Sequence, residues 1–172
     1  MKYFSVLFII ILPAVLSTCR EDDELPPLTI EGRNTFGCLV NGKLWLAEGS
    51  AFASSTHAEI YRTVDTLAVN IYGNGISQTT MFMSIIASPD LKINQPYYFA
   101  NSDKCCGIQY LDFSGAVSCA YEMPIGGHIT FSRWDEAKAI LAGTFQFIAE
   151  SDECPGTVVI TEGRFDIGEI TY

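Results

Sequence analysis

The sequence predicts an all-β fold, a single antiparallel β-sandwich that follows a removed N-terminal signal peptide. Short apolar runs recur with turn-forming residues between them, at the roughly 8 to 12 residue spacing that is typical of sandwiches. After the first segment, no window keeps the 3.6-residue apolar period of a helix over several turns. With 172 residues, 48% apolar and 17% charged, the chain has the length and composition of one folded domain.

The first hairpin is predicted around Asn41-Gly42. Apolar runs lie on both sides of this pair, 38–40 before it and 43–46 after it. Asn and Gly both tolerate the positive φ angles of a type I′ turn, which makes Asn-Gly a strong local hairpin signal. We therefore expect two short paired strands at the start of the domain.

Three strands are predicted in the middle of the chain. Leu67, Val69 and Ile71 alternate with small or polar residues, which indicates a half-buried strand, and Gly73-Asn74-Gly75 then predicts a turn. Residues 81–87 are almost entirely apolar, as in a strand covered on both faces. Residues 97–99 predict a short aromatic strand.

A second hairpin is predicted over 128–149, with its turn at 135–138. Ile129, Phe131 and Arg133 alternate with Thr130, Ser132 and Trp134, and four apolar or glycine positions return on one face of the partner strand (Leu141, Gly143, Phe145, Phe147). The run 158–167 predicts the last strand.

The N-terminus predicts export. A short positive start precedes residues 4–16, an uncharged and mainly apolar run of 13 residues. This run is shorter than the about 20 helical residues that cross a bilayer, but it has the length of a signal-peptide core. Leu16-Ser17-Thr18-Cys19 resembles the bacterial lipobox, which implies that residues 1–18 are removed and that Cys19 is lipidated and anchors the protein in a membrane. Thr18 departs from the usual small residue, so ordinary cleavage and a periplasmic or secreted product stay open.

Residues 19–33 predict a lipid-anchored acidic stalk, followed by a sandwich domain over 34–172. Arg20-Glu21-Asp22-Asp23-Glu24 carries four carboxylates, and Pro26-Pro27 then prevents regular structure. An acidic cluster at this position resembles the surface-export signal of Bacteroidota lipoproteins, which implies an outer-membrane, cell-surface location. The alternative is a solvated tether with no signal function.

Two motifs carry a wider resemblance. The opening stretch 34–45, NTFGCLVNGKLW, and the ending at 143–147 and 159–167, GTFQF and VITEGRFDI, are similar to those of uncharacterised Bacteroidota lipoproteins that consist of one β-sandwich domain. The resemblance implies the fold and the location. It implies no activity, because this group has no assigned catalytic residues.

Of the six cysteines, five follow Cys19. An odd number in an oxidising compartment predicts at least one thiol outside intramolecular disulfides. We expect Cys38 to pair with Cys154, and Cys119 to pair with Cys105 or Cys106. The alternative for Cys38 is a small buried apolar residue.

The sequence favours a binding or envelope-structural role over catalysis. A formal charge of −10 argues against nucleic acid as a partner, and no hydrolase, zinc or nucleotide-binding motif occurs. We therefore assign no catalytic residue, metal ligand or cofactor, and we expect a glycan or protein ligand. A secreted or carbohydrate-active hydrolase that uses acidic residues is the alternative.

Aromatic and hydroxyl side chains supply the candidate ligand and modification sites. The candidate ligand aromatics are Trp45, Tyr97, Tyr98 and Trp134, because flat rings on a rigid sandwich can stack on sugars. Asp65-Thr66-Leu67 resembles the Bacteroidota O-glycosylation acceptor, which implies modification at Thr66.

Overall fold

The structure is a computed structural model that describes residues 24–48, 54–75, 78–99 and 105–172. The predicted signal peptide, the predicted lipidation site Cys19 and most of the acidic cluster lie outside these ranges. The described residues form twelve β-strands: β1 Thr35–Val40, β2 Lys43–Leu46, β3 Thr56–Arg62, β4 Leu67–Gly75, β5 Thr79–Ala87, β6 Pro96–Tyr98, β7 Cys106–Asp112, β8 Cys119–Tyr121, β9 Met123–Asp135, β10 Ile140–Glu150, β11 Thr157–Ile167 and β12 Ile170–Thr171.

The strands form two six-stranded sheets, which confirms the predicted all-β sandwich. The first sheet has the order β2-β1-β11-β10-β9-β6, and the second has the order β12-β3-β4-β5-β7-β8. All strand pairs are antiparallel except β12 with β3, which is parallel. Both sheets supply fully buried side chains to one core, including Phe36, Phe131 and Phe147 from the first and Ile71 and Met83 from the second.

The first hairpin has the predicted turn. Asn41 and Gly42 take φ values of 49° and 77° between β1 and β2, as a type I′ turn requires. Asn41 also exchanges hydrogen bonds with Val159 of β11, since its N–H donates to the Val159 carbonyl at 2.8 Å and its Oδ1 accepts from the Val159 N–H at 2.9 Å. The turn is therefore fixed to the adjacent strand.

The turn predicted at Gly73-Asn74-Gly75 is wrong, because β4 continues through all three residues. A Cβ at position 73 would lie 3.0 Å from the Phe36 ring, and a Cβ at position 75 would lie 2.9 Å from the Trp45 indole nitrogen. These glycines leave room for aromatic side chains from the first sheet. Glycine inside a strand often marks such a close approach.

The second hairpin forms as predicted, and its turn contains a 3₁₀ helix at Glu136–Lys138. The Asp135 carboxylate accepts a hydrogen bond from the Lys138 N–H and caps this helix. The simple alternation predicted for β9 fails near its end, because Phe131 pairs with Gly143 whereas Arg133 pairs with Ala142, and Ser132 is the extra residue of a β-bulge. The bulge turns Trp134 toward the core, where its ring is half-buried.

Residues 26–33, which we call the N-terminal strap, lie against the first sheet. The Asp166 carboxylate accepts hydrogen bonds from the Thr29 hydroxyl at 2.6 Å, the Glu31 N–H at 3.0 Å and the Gly32 N–H at 2.6 Å. Arg133 donates to the Ile30 carbonyl at 2.7 Å. Part of the segment that the sequence assigns to the stalk is therefore attached to the body.

Asp166 is ionised in this setting. The residue is 1% exposed, and burial disfavours the charged form. The hydrogen bonds from Thr29 and from backbone N–H groups of the strap outweigh this effect and lower the pKa of Asp166. A group with a lowered folded-state pKa stabilises the fold at pH values above its ordinary pKa of about 3.9, and this stabilisation is lost as the pH falls through the folded-state pKa.

We predict that Asp166→Asn lowers the free energy of unfolding by about 1–3 kcal/mol at pH 7, because the amide replaces one acceptor oxygen by a donor that faces other donors. Thermal unfolding should show a drop in Tm of roughly 2–4 °C for each kcal/mol. The difference from wild type should shrink below about pH 4. Asp152→Asn, at an exposed position, is the control. Equal Tm values for Asp166→Asn and wild type at pH 7 would contradict the role of the carboxylate.

Candidate functional site

A cleft of about 400 Å³ opens where the first hairpin meets one end of the second sheet. We call it the Trp45 cleft. Its walls come from the β1–β2 hairpin, from the ends of β4, β5 and β7, and from residues next to them: Val40, Asn41, Lys43, Leu44, Trp45, Leu46, Glu48, Gly75, Thr79, Tyr110, Asp112 and Ser114. Its volume is within the range of about 300–1,000 Å³ that is common for small-molecule sites.

Trp45, in β2, is held in place by contacts to both sheets. Its indole Nε1–H donates to the Thr79 hydroxyl at 2.7 Å, and its ring packs edge-on against Phe36 with 5.7 Å between centroids. Gly75 permits this approach, because a Cβ there would lie 2.6 Å from the Thr79 hydroxyl oxygen. The ring is half-buried and is held in one orientation, so it is a rigid part of the cleft wall.

The polar side of the cleft offers both donors and acceptors. Lys43 and Glu48 are exposed, and they supply an ammonium group and a carboxylate. Asp112 accepts hydrogen bonds from the N–H of Ser114 at 2.9 Å and from its hydroxyl at 2.5 Å, which fixes the turn after β7. A ligand with hydroxyl groups can use each of these groups as a hydrogen-bond partner.

The candidate ligand aromatics do not meet at one site. Trp45 lies on β2, whereas Tyr97 and Tyr98 lie on β6 at the opposite edge of the first sheet. Five strand spacings of about 4.8 Å separate these edges, so they are roughly 24 Å apart. Tyr98 is 59% exposed and packs edge-on against His128, whereas Tyr97 is half-buried and its hydroxyl accepts from the Lys92 N–H. Ligand contact at Tyr97, Tyr98 and Trp134 stays a prediction.

A second aromatic surface, which the sequence analysis did not identify, crosses the outer face of the second sheet. His57 stacks on Tyr72 with 4.5 Å between ring centroids, and Tyr72 in turn contacts Phe82 at 4.9 Å. The Tyr72 hydroxyl donates to Glu59 at 3.0 Å; burial and this hydrogen bond raise the pKa of Tyr72 to about 12. The stacked rings cover one another's faces, so this row functions as cross-strand packing.

The disulfide pairing proposed from the sequence is wrong. Cys119 is bonded to Cys154, with 5.7 Å between their Cα atoms. Cys38 is fully buried in β1 and points into the core, and burial raises its pKa to about 12, so it agrees with the alternative of a small apolar core residue. Cys105 and Cys106 lie next to each other before and at the start of β7, away from the bond that Cys119 makes.

The remaining predicted positions lie apart from the cleft. Thr66 is in the exposed turn between β3 and β4, where its hydroxyl lies 2.7 Å from that of Thr63, and its modification stays a prediction. His57 and His128 belong to different sheets. Nowhere in the described ranges do three or more His, Cys, Asp or Glu side chains gather as a metal ion would require.

Comparison with known protein families, with curated proteins and with solved structures gives no match. Within the described part of the chain, no helix has the length and apolar character needed to cross a membrane.

We predict that Gly75→Ala displaces the Trp45 indole and breaks its hydrogen bond to Thr79. Overpacking of this kind costs about 1–3 kcal/mol of folding free energy. Chemical denaturation should show the loss, and a change in the tryptophan emission maximum should report the altered indole environment. Gly107→Ala is the matched control, because a Cβ there would have its nearest neighbour at 4.0 Å. Equal effects of the two substitutions would contradict the close packing at position 75.

Proposed function

We propose that this protein is an exported surface lipoprotein whose sandwich domain binds a glycan in the Trp45 cleft and does not catalyse a reaction on it. The observation that carries the proposal is the combination of a fixed indole ring with an ammonium group, two carboxylates and hydroxyl groups around one open cleft. Sugars present apolar C–H faces and many hydroxyl groups. An aromatic wall and a set of donors and acceptors complement these two features.

Charge supports a glycan over a polyanionic ligand. The chain has a formal charge of −10, and Glu48 and Asp112 offset the single lysine among the cleft residues. A phosphate-rich ligand would meet net repulsion at this surface. A neutral oligosaccharide meets no such barrier, and its hydroxyl groups can donate to the two carboxylates.

Export is supported by the cysteine chemistry of the body and by the N-terminal sequence. The Cys119–Cys154 disulfide joins β8 to the segment that precedes β11, and structural disulfides persist in oxidising compartments outside the cytoplasm. The lipobox-like Leu16-Ser17-Thr18-Cys19 and the acidic residues after it supply the anchor and the surface signal of the proposal. The resemblance to Bacteroidota lipoproteins rests on the sequence motifs.

A hydrolase is the second candidate, and one observation favours it. Glu48 and Asp112 both line the Trp45 cleft, and most glycoside hydrolases use a pair of carboxylates as their catalytic groups. In a hydrolase, one of them would give a proton to the leaving oxygen while the other acted on the sugar ring or on water. The test below separates binding from cleavage in the same sample.

We predict that the chain from Arg20 onward binds at least one class of oligosaccharide on a glycan array. The double variant Lys43→Ala/Glu48→Ala should weaken binding at least tenfold, about 1.4 kcal/mol, because both side chains are exposed at the cleft and make charged hydrogen bonds to a ligand. Titration calorimetry with the bound oligosaccharide measures the change. The control is Lys92→Ala/Glu153→Ala, which removes the same charges at exposed positions outside the cleft.

Two results would overturn this reading of the cleft. Absence of binding on the array would argue for a structural envelope role. Equal binding by wild type and by the cleft double variant would show that the glycan binds outside the Trp45 cleft. Mass spectrometry of the same oligosaccharide after incubation decides between binding and hydrolysis. A shortened product that disappears with Glu48→Gln identifies a hydrolase.

We predict that Cys19 carries fatty acid. In a bacterial host grown with an alkyne-labelled palmitate, the wild-type chain should be labelled and should fractionate with membranes, because two acyl chains exceed the threshold for stable anchoring. Cys19→Ala should be unlabelled. Labelling at equal levels in both proteins would place the lipid elsewhere, and an unlabelled, released wild-type protein would indicate ordinary signal-peptide cleavage.

A further inference from the structure

The thiols of two adjacent residues meet at the start of β7. The Sγ atoms of Cys105 and Cys106 lie 2.8 Å apart. This is closer than the roughly 3.5–4.0 Å at which nonbonded carbon atoms rest, although sulfur is the larger atom. Successive residues of a regular strand point to opposite faces of the sheet. The two side chains here turn toward each other instead.

Backbone contacts hold both residues in this arrangement. The Cys105 carbonyl accepts a hydrogen bond from the Ile86 N–H at 2.6 Å, and Cys106 pairs with Ile85 across the β5–β7 ladder. Cys106 is 8% exposed and belongs to the core, whereas Cys105 is half-buried at the margin of the core. The pair is therefore attached to a central strand of the second sheet, and Cys105 is the more accessible of the two.

We infer that Cys105 and Cys106 form a disulfide between adjacent residues when the protein is in an oxidising compartment. The oxidant is a disulfide donor, such as an envelope thiol oxidase or oxidised glutathione. The Cys105 thiolate attacks one sulfur of the donor, and one donor thiolate leaves. The Cys106 thiolate then attacks Cys105 Sγ and releases the second donor thiolate. The two thiol protons pass to the donor, which gains two electrons.

This bond accounts for the odd number of cysteines. Of the five that follow Cys19, Cys119 and Cys154 are bonded to each other, and Cys105 and Cys106 form the second bond. Cys38 is the remaining thiol, and it is 0% exposed in the core. No intermolecular disulfide is then needed to satisfy the count.

The Cys105–Cys106 bond is the more easily reduced of the two. Adjacent Cα atoms across a trans peptide are about 3.8 Å apart, whereas disulfides usually join Cα atoms separated by about 4.4–6.8 Å. The bond therefore closes a small ring that includes the peptide group. Strained disulfides are among the labile ones, so this pair is a reversible redox site.

Peptide mapping of the full chain tests the inference. The protein is expressed with its own N-terminus in a bacterial host, denatured in the presence of N-ethylmaleimide without reductant, and digested with trypsin. Cleavage after Lys104, Arg133, Lys138 and Arg164 gives peptides 105–133 and 139–164, which the Cys119–Cys154 bond joins. The joined pair should carry no maleimide and should have lost two further hydrogen atoms, while Cys38 should be modified. Two maleimides on the joined pair would overturn the inference.

A variant identifies the partner. In Cys105→Ser, the joined pair should carry one maleimide, on Cys106, with the Cys119–Cys154 link intact. An unmodified Cys106 in this variant would show another bond and would overturn the assignment.

Graded reduction with dithiothreitol tests lability. Maleimide should enter 105–133 at a reductant concentration at least tenfold below the one that separates the two peptides. If the two peptides separate before maleimide enters 105–133, the Cys105–Cys106 bond is not the more labile one.

Discussion

The packing of phenylalanine rings over strand glycines is the constraint on which the core depends. Phe36 contacts Trp45, Phe145 and Phe165, and each of three glycines lies under one of these phenylalanines. A Cβ at Gly73 would lie 3.0 Å from Phe36, one at Gly143 would lie 2.7 Å from Phe165, and one at Gly163 would lie 2.5 Å from Phe145. The glycines supply no side chain of their own, and the rings fill the space that they leave.

This packing also determines where the cleft is. The edge of Trp45 is held against Phe36, and its indole nitrogen reaches Thr79 on the second sheet. One side chain of an edge strand therefore links both sheets at the end of the sandwich. Its fixed position is what makes the cleft wall rigid, and a rigid wall loses little conformational entropy when a ligand binds.

Local sequence predicted the parts of the fold that depend on local chemistry. Asn41-Gly42 predicted its hairpin because both residues accept positive φ within the turn itself. Gly73-Asn74-Gly75 has a similar composition, but the turn predicted there is wrong. Its glycines make room for Phe36 and Trp45, which are distant in sequence. Composition alone does not distinguish a glycine that turns the chain from one that admits a neighbour.

The site was less predictable than the fold, since it depends on register and on pairing between distant segments. Trp45 was identified from its type, but Asp112 and Ser114 come to the same cleft only because β7 ends beside the first hairpin. One extra residue at Ser132 turns Trp134 toward the core, and a bulge leaves no clear mark in the alternation of β9. Cysteine pairing could not be predicted for the same reason, because the spacing of cysteines along the sequence does not give the distances between their Cα atoms in the fold.

The strap connects the cleft to the proposed membrane anchor. Pro26 lies against Gly37, and its carbonyl accepts a hydrogen bond from Arg164 at 3.3 Å. Pro26 also shares a surface hollow with Leu46 and Glu48, which line the Trp45 cleft as well. The strap therefore starts beside the cleft.

If Cys19 is lipidated, the distance from the anchor to the body is limited by the seven residue steps from Cys19 to Pro26, the first residue of the strap. These steps span at most about 25 Å when fully extended. The edge of the Trp45 cleft next to Pro26 would then stay within about this distance of the anchor. A glycan that binds in the cleft would therefore have to come close to the membrane surface.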